Sequence, residues 1–217
     1  ALYLNRMFRR YGREVCRVLD AGCGTGRLMG ELGKIGYRPA GFDRSHPMTV
    51  IAAAQHHYPV WQGDMSRVAA SGFWDAVVSL YDSLLYLGLE QLHGFVKEVA
   101  SLLPRNGLFV FDTITESCAV QFWDGFEEEL TGECWRGIRR CEYNPVKKIL
   151  QTKIEVEAGG RTVVSELHRE RIWPLCFLEK TVVEYGFHCV GCFREFTRKQ
   201  GGEDDQHVHF IFRLEAV

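Results

Sequence analysis

Gly22, Gly24 and Gly26 stand at alternate positions directly after a short apolar run, with Asp20 at the join. Glycines so placed let the backbone turn sharply and lie close against a ligand, with no Cβ in the way. A loop that seats a pyrophosphate on a helix N-terminus reads G-x-G-x-x-G. Counted from Gly22, its third glycine would fall at position 27, which is Arg27. An acid beside the loop suits a ligand carrying an ammonium group better than one carrying phosphates. A second group of candidates is the run His168-Arg169-Glu170-Arg171-Ile172-Trp173. His168 could serve as a base, and Arg169 or Arg171 could grip a carboxylate or phosphate bidentately. The same run also suits a polar strand face laced with salt bridges, and Trp173 a core or hinge aromatic. Cys189 and Cys192, with His207 and His209 downstream, invite a zinc or redox reading. In a strand their odd spacing sends the two thiols to opposite faces, unless a bulge at Gly191 intervenes. No metal is expected.

The elements that must position these residues follow from hydrophobic periodicity. Arg17 to Asp20 reads as a strand, and Leu28, Leu32 and Ile35 mark the helix after the glycine turn. Tyr37 to Asp43 is a second strand ending in an acid, Met48 to His56 a helix, and Pro59 to Asp64 a short third strand and turn. Phe73 to Leu80 is almost wholly apolar, as a strand buried on both faces should be. Leu89, Leu92, Phe95, Val96, Val99 and Leu102 have helical spacing, and Leu108 to Asp112 forms a fifth strand after the turn at 104–107. This succession predicts a parallel, doubly wound sheet. Ligands bind such sheets beyond the carboxyl ends of the strands, at the switch point beside strand one.

From about Phe126 to Trp173 helical periodicity fades. Cys134 to Tyr143, Ile149 to Ala158 and Arg161 to Trp173 read as three strands of an antiparallel meander, joined at Asn144-Pro145 and Gly159-Gly160. A helix returns at Pro174 to Tyr185, with Pro174 in its first turn. Phe187 to Phe196 and His207 to Leu214 form a final antiparallel hairpin. The polar link Arg198 to Gln206 is expected to be mobile.

A chain of 217 residues suits one domain with a single core. Hydrophobic content of 46% and charged content of 25% are ordinary for a globular protein. The net charge of −2 gives no bias toward nucleic acid or a membrane surface. No apolar run is long enough to span a bilayer, and no signal peptide is visible. The eight cysteines lie within or beside apolar runs and read as reduced and mostly buried, the pattern of a cytoplasmic enzyme.

The run Val18-Leu19-Asp20-Ala21-Gly22-Cys23-Gly24-Thr25-Gly26 closely resembles motif I of the class I S-adenosylmethionine methyltransferases. The order of elements extends the resemblance over nearly the whole chain, read as one domain, 1–217. It implies a Rossmann-like, doubly wound sheet of seven strands with the seventh antiparallel. It also implies S-adenosylmethionine as cofactor, with S-adenosylhomocysteine as product. The family's longer N-terminal helical segment implies further residues upstream of Ala1. In that family the loop wraps the methionine part of the cofactor, here Asp20, Gly22, Cys23, Gly24, Thr25 and Gly26. Asp43 falls where the family's acid accepts from the ribose hydroxyls, and a carboxylate's paired oxygens match a vicinal diol. Asp64 falls where an acid accepts from the adenine amino group, and Met65 where a backbone N–H and an apolar side chain meet the ring. Leu80, Tyr81 and Ser83 would line the sulfonium, and Arg44 the ribose side. Tyr81, Asp82 and His168 are the candidates for acceptor chemistry, and Arg169, Arg171 and Trp173 for holding the acceptor. Taken without the resemblance, Asp43 also suits an exposed turn and Asp64 an N-cap.

The three-stranded insert, 126–173, is similar to that of glycine N-methyltransferase and the amino-sugar N,N-dimethyltransferases, where it would form a lid on the substrate side. The implied activity is methyl transfer to nitrogen or oxygen of a small-molecule acceptor, and a homodimer fits the family. Methyltransferases of DNA-base amines carry Asn or Asp, then Pro-Pro and an aromatic, after strand four. Leu80-Tyr81-Asp82-Ser83 lacks both prolines, so no DNA partner is expected. The alternatives are an RNA or protein methyltransferase and a non-catalytic S-adenosylmethionine-binding protein. The first draws on the basic hairpin of Arg136, Arg139, Arg140, Lys147, Lys148 and Lys153, although Glu133, Glu142, Glu155 and Glu157 interleave. Methyl transfer asks the protein mainly for alignment, which can lower such a barrier by roughly 7–11 kcal/mol.

Overall fold

The computed structural model describes residues 1–12 and 14–215. The chain opens with α1 (Leu2–Tyr11), whose Tyr3, Leu4, Met7 and Phe8 share one buried face. Strands and helices then alternate: β1 (Arg17–Ala21), α2 (Arg27–Lys34), β2 (Arg38–Asp43), α3 (His46–Gln55), β3 (Val60–Gln62), β4 (Ala76–Ser79), α4 (Leu89–Leu102) and β5 (Leu108–Ile114). Every residue of β5 is buried, as expected of a strand covered on both sides. Its Leu108 and Val110 meet Phe8 and Leu32, while Phe109 and Phe111 meet Phe95, Leu178 and Val182 across the sheet. Leu92, Phe95, Val96 and Val99 make the buried stripe of α4, each contributing roughly 1.5–3 kcal/mol of burial. Replacing Phe95 by Ala would cost about 3–5 kcal/mol.

Seven strands form one sheet in the order β10-β11-β5-β4-β1-β2-β3, where β10 (Phe187–Arg194) and β11 (His207–Leu214) close the chain. The four central pairings from β3 to β5 are parallel, and β11 runs antiparallel to β5 and to β10. The order reverses between β1 and β4, which is where a ligand crevice opens in such sheets. The final helix, α6 (Leu175–Val183), packs with α4 on the Phe109 side.

A second sheet follows β5. A short helical segment, α5 (Glu116–Cys118), continues as a π turn over Ala119–Trp123. Then come β6 (Glu127–Thr131), β7 (Trp135–Asn144), β8 (Ile149–Ala158) and β9 (Arg161–Arg171), antiparallel in that order. The insert thus has four strands where three were expected. β6 reads Glu-Glu-Glu-Leu-Thr and sits at the sheet edge, so charge and solvent exposure hide it from a hydrophobic pattern. The register sets Arg139, Cys141 and Tyr143 of β7 beside Ile154, Thr152 and Leu150 of β8 and, beyond them, His168 and Glu170 of β9. This is the face turned to the ends of β4 and β5, where Leu85, Ile114 and Cys118 pack against it.

Two smaller expectations change. The register of β10 shifts between Cys189 and Gly191. Cys189 therefore stands opposite Phe212 and Cys192 opposite Phe210, so the bulge puts both thiols on one face. Burial first, and then nearby charge, push both thiols up to about 12, which makes them poor nucleophiles. The link before β11 is pinned: Arg194 pairs with Asp205 at 2.9 Å, and Glu203 accepts from the Leu175 N–H at 2.7 Å.

Candidate active site

The glycine turn between β1 and α2 needs its glycines. Gly22, Gly24 and Gly26 have φ of 82°, 52° and 76°, a left-handed region that L side chains rarely adopt. A Cβ on Gly22 would also lie 2.8 Å from Ser83 Oγ. Gly22 and Gly24 line the crevice, whereas Gly26 serves as the cap of α2 and faces Ala52 and His56 of the α3 region.

Two cavities of about 330 and 320 Å³ meet at Gly22, Gly24 and Met48. One end carries Asp20, Cys23, Thr25, Leu80 and Tyr81. The other carries Asp43, Arg44, Asp64, Met65 and Ser83. Asp43 holds the loop itself: its Oδ2 accepts from the Gly24 N–H and its Oδ1 from the Ser45 N–H, both at 2.8 Å. Each oxygen keeps a further lone pair toward the cavity. Asp64 Oδ1 accepts from the Ser66 N–H at 2.8 Å, a turn contact that leaves Oδ2 free. Asp20 is buried, 3% exposed at the floor of its end of the trough. Burial, then the charges of Asp43 and Asp112, push its carboxyl up to about 7. A buried acid at one end and the remaining acceptor capacity of Asp43 and Asp64 at the other match a ligand with an ammonium, a vicinal diol and an aromatic amine. Apolar Met65, Phe42 and Leu87 between the acids suit a ring. The residues present therefore fit S-adenosylmethionine.

Tyr86 and His168 line this trough and also a further cavity of about 240 Å³ between β4, β5 and the insert. Tyr86 Oη and His168 Nδ1 are 3.1 Å apart, and Glu166 lies 3.1 Å from His168 Nε2. Asp82 from the turn after β4 and Glu170 from β9 bring two carboxylates into the same cavity. Burial holds the Glu170 carboxyl above its ordinary range, with Asp82 adding to the effect and Tyr86 opposing it. Arg139 stands at the other end, its guanidinium over Trp123 and Phe126 and its Nη2 3.0 Å from Glu128. Among the described residues its buried Nε has no hydrogen-bond partner.

The structure separates the candidates read from sequence. Asp82 and His168 meet in the inner cavity. Tyr81 does not join them: it is 82% exposed and lies at the Asp20 end of the trough, because two successive left-handed residues swing its side chain outward. Arg169 and Arg171 are set by strand alternation on the opposite face of β9 from His168 and Glu170. They approach Gln151 and the Lys147 carbonyl there. Trp173 stacks on Phe177 at 4.9 Å and belongs to the core. Glu170 and Arg139 were not singled out for this cavity; Glu170 lies in the quoted run, and only the strand face distinguishes it from its neighbours. The basic hairpin is largely neutralised on its outer face, where Arg136 pairs with Glu129, Arg140 with Glu127 and Lys153 with Glu155, at 2.7–2.9 Å. No helix among the described residues is long and apolar enough to cross a membrane.

Comparison with known proteins agrees with this fold. Residues 18–107 match a family described as a methyltransferase domain. A protein of Geobacillus sp. (strain WCH70), named as an inferred methyltransferase, is 27% identical over 220 residues, 96% of this chain and 89% of its own. An S-adenosylmethionine-dependent methyltransferase from Clostridium acetobutylicum ATCC 824 has the same fold, with a TM-score of 0.87 at 16% identity over 99% of this chain and 90% of that one. The sugar N-methyltransferase KedS8 from Streptoalloteichus sp. ATCC 53650 gives 0.80 at 19% identity, over 99% and 86%. The acid-flanked glycine turn, the sheet order and the methyltransferase-domain match over residues 18–107 together support a class I S-adenosylmethionine-dependent methyltransferase.

Proposed function

We propose that the protein transfers a methyl group from S-adenosylmethionine to an amine nitrogen of a small molecule held beneath the antiparallel insert. The observation that carries this reading is the pair of carboxylates, Asp82 and Glu170, in a cavity that shares Tyr86 and His168 with the trough. Within the trough, Asp20 would hold the ammonium end of the cofactor, Asp43 its ribose and Asp64 its adenine amino group. Bound there, the cofactor supplies an electrophilic methyl group on a positively charged sulfur.

The chain's own residues do the rest by position. An amine that gains a methyl group becomes an ammonium, so carboxylates fixed beside it stabilise the charge as it develops. An oxygen acceptor would first have to shed a proton, and two carboxylates oppose the resulting anion. Glu170 is suited to take a proton from an acceptor that arrives as an ammonium. Tyr86 and His168 fix the passage between the cavities. The insert acts as the substrate-side lid, with Arg139, His168 and Glu170 reaching from it over the strand ends. A cavity of about 240 Å³ lies below the roughly 300–1,000 Å³ of drug-sized ligand sites, which supports a small acceptor. KedS8, a sugar N-methyltransferase, shares the architecture. The ion-paired outer face of the insert speaks against RNA docking.

Incubation with methyl-labelled S-adenosylmethionine and a metabolite extract, with RNA and protein fractions in parallel, tests the reading. Label is expected in small molecules retained by a cation exchanger. Label in the RNA or protein fraction, or in neutral ethers, would replace it.

A further inference from the structure

Tyr81 and Asp82 have φ of 57° and 59°, two successive non-glycine residues in the left-handed region. Such a pair persists only where the surroundings over-determine it, and such strain concentrates at functional sites. The restraint here is a buried side chain. Asp112, near the end of β5, accepts from the Tyr81 N–H through Oδ2 at 3.0 Å and from the Asp82 N–H through Oδ1 at 2.9 Å. One carboxylate thus grips both backbone donors of the strained turn.

A second side chain holds the Asp82 carboxylate that the turn presents. His207 opens β11 with its Nε2 3.2 Å from Asp82 Oδ1 and 3.6 Å from Asp112 Oδ2. Its Nδ1 faces Glu195 Oε1 at 3.6 Å. The register explains the meeting: His209 lies opposite Asp112, and His207 is two residues along on the same face. His209 is buried between Tyr3 and Phe196, which closes the cluster from α1 and from the link before β11.

We propose that Asp112 and His207 are positioning residues for the methyl transfer, holding the Tyr81–Asp82 turn in its left-handed conformation and aiming the Asp82 carboxylate into the acceptor cavity. This rests on the reading above, in which Asp82 meets the acceptor. Neither residue lines that cavity, so each acts through Asp82. The charged and titratable groups facing His207 are Asp82 on the turn, Asp112 on β5, Glu195 before β11 and His209 on β11. Burial alone would lower the His207 imidazole, but the Asp82 hydrogen bond and the charges of Asp82, Asp112 and Glu195 outweigh it and push it up to about 9. Burial, then the His207 charge, press His209 down to about 4, so the cluster carries one imidazolium.

The test uses the full chain and the variants His207→Gln, His207→Phe and Asp112→Asn. Calorimetry with S-adenosylhomocysteine should show cofactor affinity unchanged. With the acceptor found in extracts, kcat should fall on the order of a hundredfold in His207→Phe. His207→Gln should recover part of that loss, since its amide can still donate to Asp82. Wild-type kcat should decline as pH rises through 9, and the decline should be absent from His207→Gln. Imidazole NMR supplies a readout that needs no acceptor: His207 should titrate near 9, and near its ordinary value in Asp82→Asn. Normal kcat in His207→Phe with the cofactor bound would overturn the proposal, as would a His207 that titrates normally in the wild type. So would a stoichiometric divalent metal lost in His209→Ala, because Asp112, His207 and His209 bring possible ligand atoms within 4.8 Å. Failure of the wild type to bind S-adenosylhomocysteine would instead strike the functional reading and leave the NMR result standing on its own.

Discussion

The trough under the glycine turn and the cavity under the insert are built by opposite means. In the trough, acids are held by backbone close at hand: Asp43 by Gly24 and Ser45, Asp64 by Ser66. Each lies at the end of a parallel strand, where the fold alone would put it. In the cavity, groups arrive from distant parts of the chain. Asp82 meets His207 across 125 residues, and Tyr86 meets His168 across 82. The first region is thus a property of the architecture and the second of this sequence. Cofactor binding and acceptor chemistry should be separable by mutation.

Asp82→Asn and Glu170→Gln test that separation most severely. Each keeps the shape of the cavity and removes a charge placed where positive charge develops. A fall in kcat on the order of 10²–10³ is expected, the scale for losing one preorganised electrostatic group. Calorimetry should find S-adenosylhomocysteine bound as in the wild type. Equal losses in both measurements would mean that the two regions act as one site.

Asp43→Ala is the converse. It removes the acceptor for the ribose and also frees the Gly24 and Ser45 N–H groups that shape the loop. Cofactor affinity should drop by roughly 1–3 kcal/mol. An unchanged dissociation constant would take Asp43 out of the binding set.

The pH dependence of cofactor binding gives a smaller, graded effect. The Asp20 carboxyl titrates at about 7 in the folded protein against an ordinary value of 3.8. Its contribution to stability is therefore present below 3.8 and lost as pH rises through 7. An ammonium ligand needs the ionised form, so below pH 7 the proton competes with it. Affinity should weaken toward tenfold for each unit of acidification between pH 7 and 5. Asp20→Asn should bind weakly with that slope removed. A flat wild-type profile would show that Asp20 does not meet the ammonium.

The same contrast explains what the sequence could disclose. The parallel strands were legible because burial on both faces leaves unbroken apolar runs, as in Val18-Leu19 and Leu108-Phe109-Val110-Phe111 of β5. The glycine turn was legible because three left-handed positions leave glycines in a fixed spacing. The edge strand β6 was not, since it is charged and largely exposed along its length. Nor was α1, whose short amphipathic pattern precedes the first recognisable motif. Within the run 168–173 the residue types were visible but the face was not. Alternation turns His168 and Glu170 inward and Arg169 and Arg171 outward, and the phase is set by pairing with β8 rather than by local pattern. Arg139 and His207 reach their sites only through tertiary contacts.

That phase makes the weakest perturbation informative. Arg169 was an attractive anchor for an anionic acceptor, yet its Nε lies 3.4 Å from Gln151 on the exposed face of the insert. Arg169→Ala should change stability by no more than about 0.5 kcal/mol, as for most surface substitutions. It should leave acceptor KM and cofactor affinity alone. A clear rise in acceptor KM would put the acceptor on the outer face of β9, reverse the assignment of lid and cavity, and leave Asp82 without a substrate to meet.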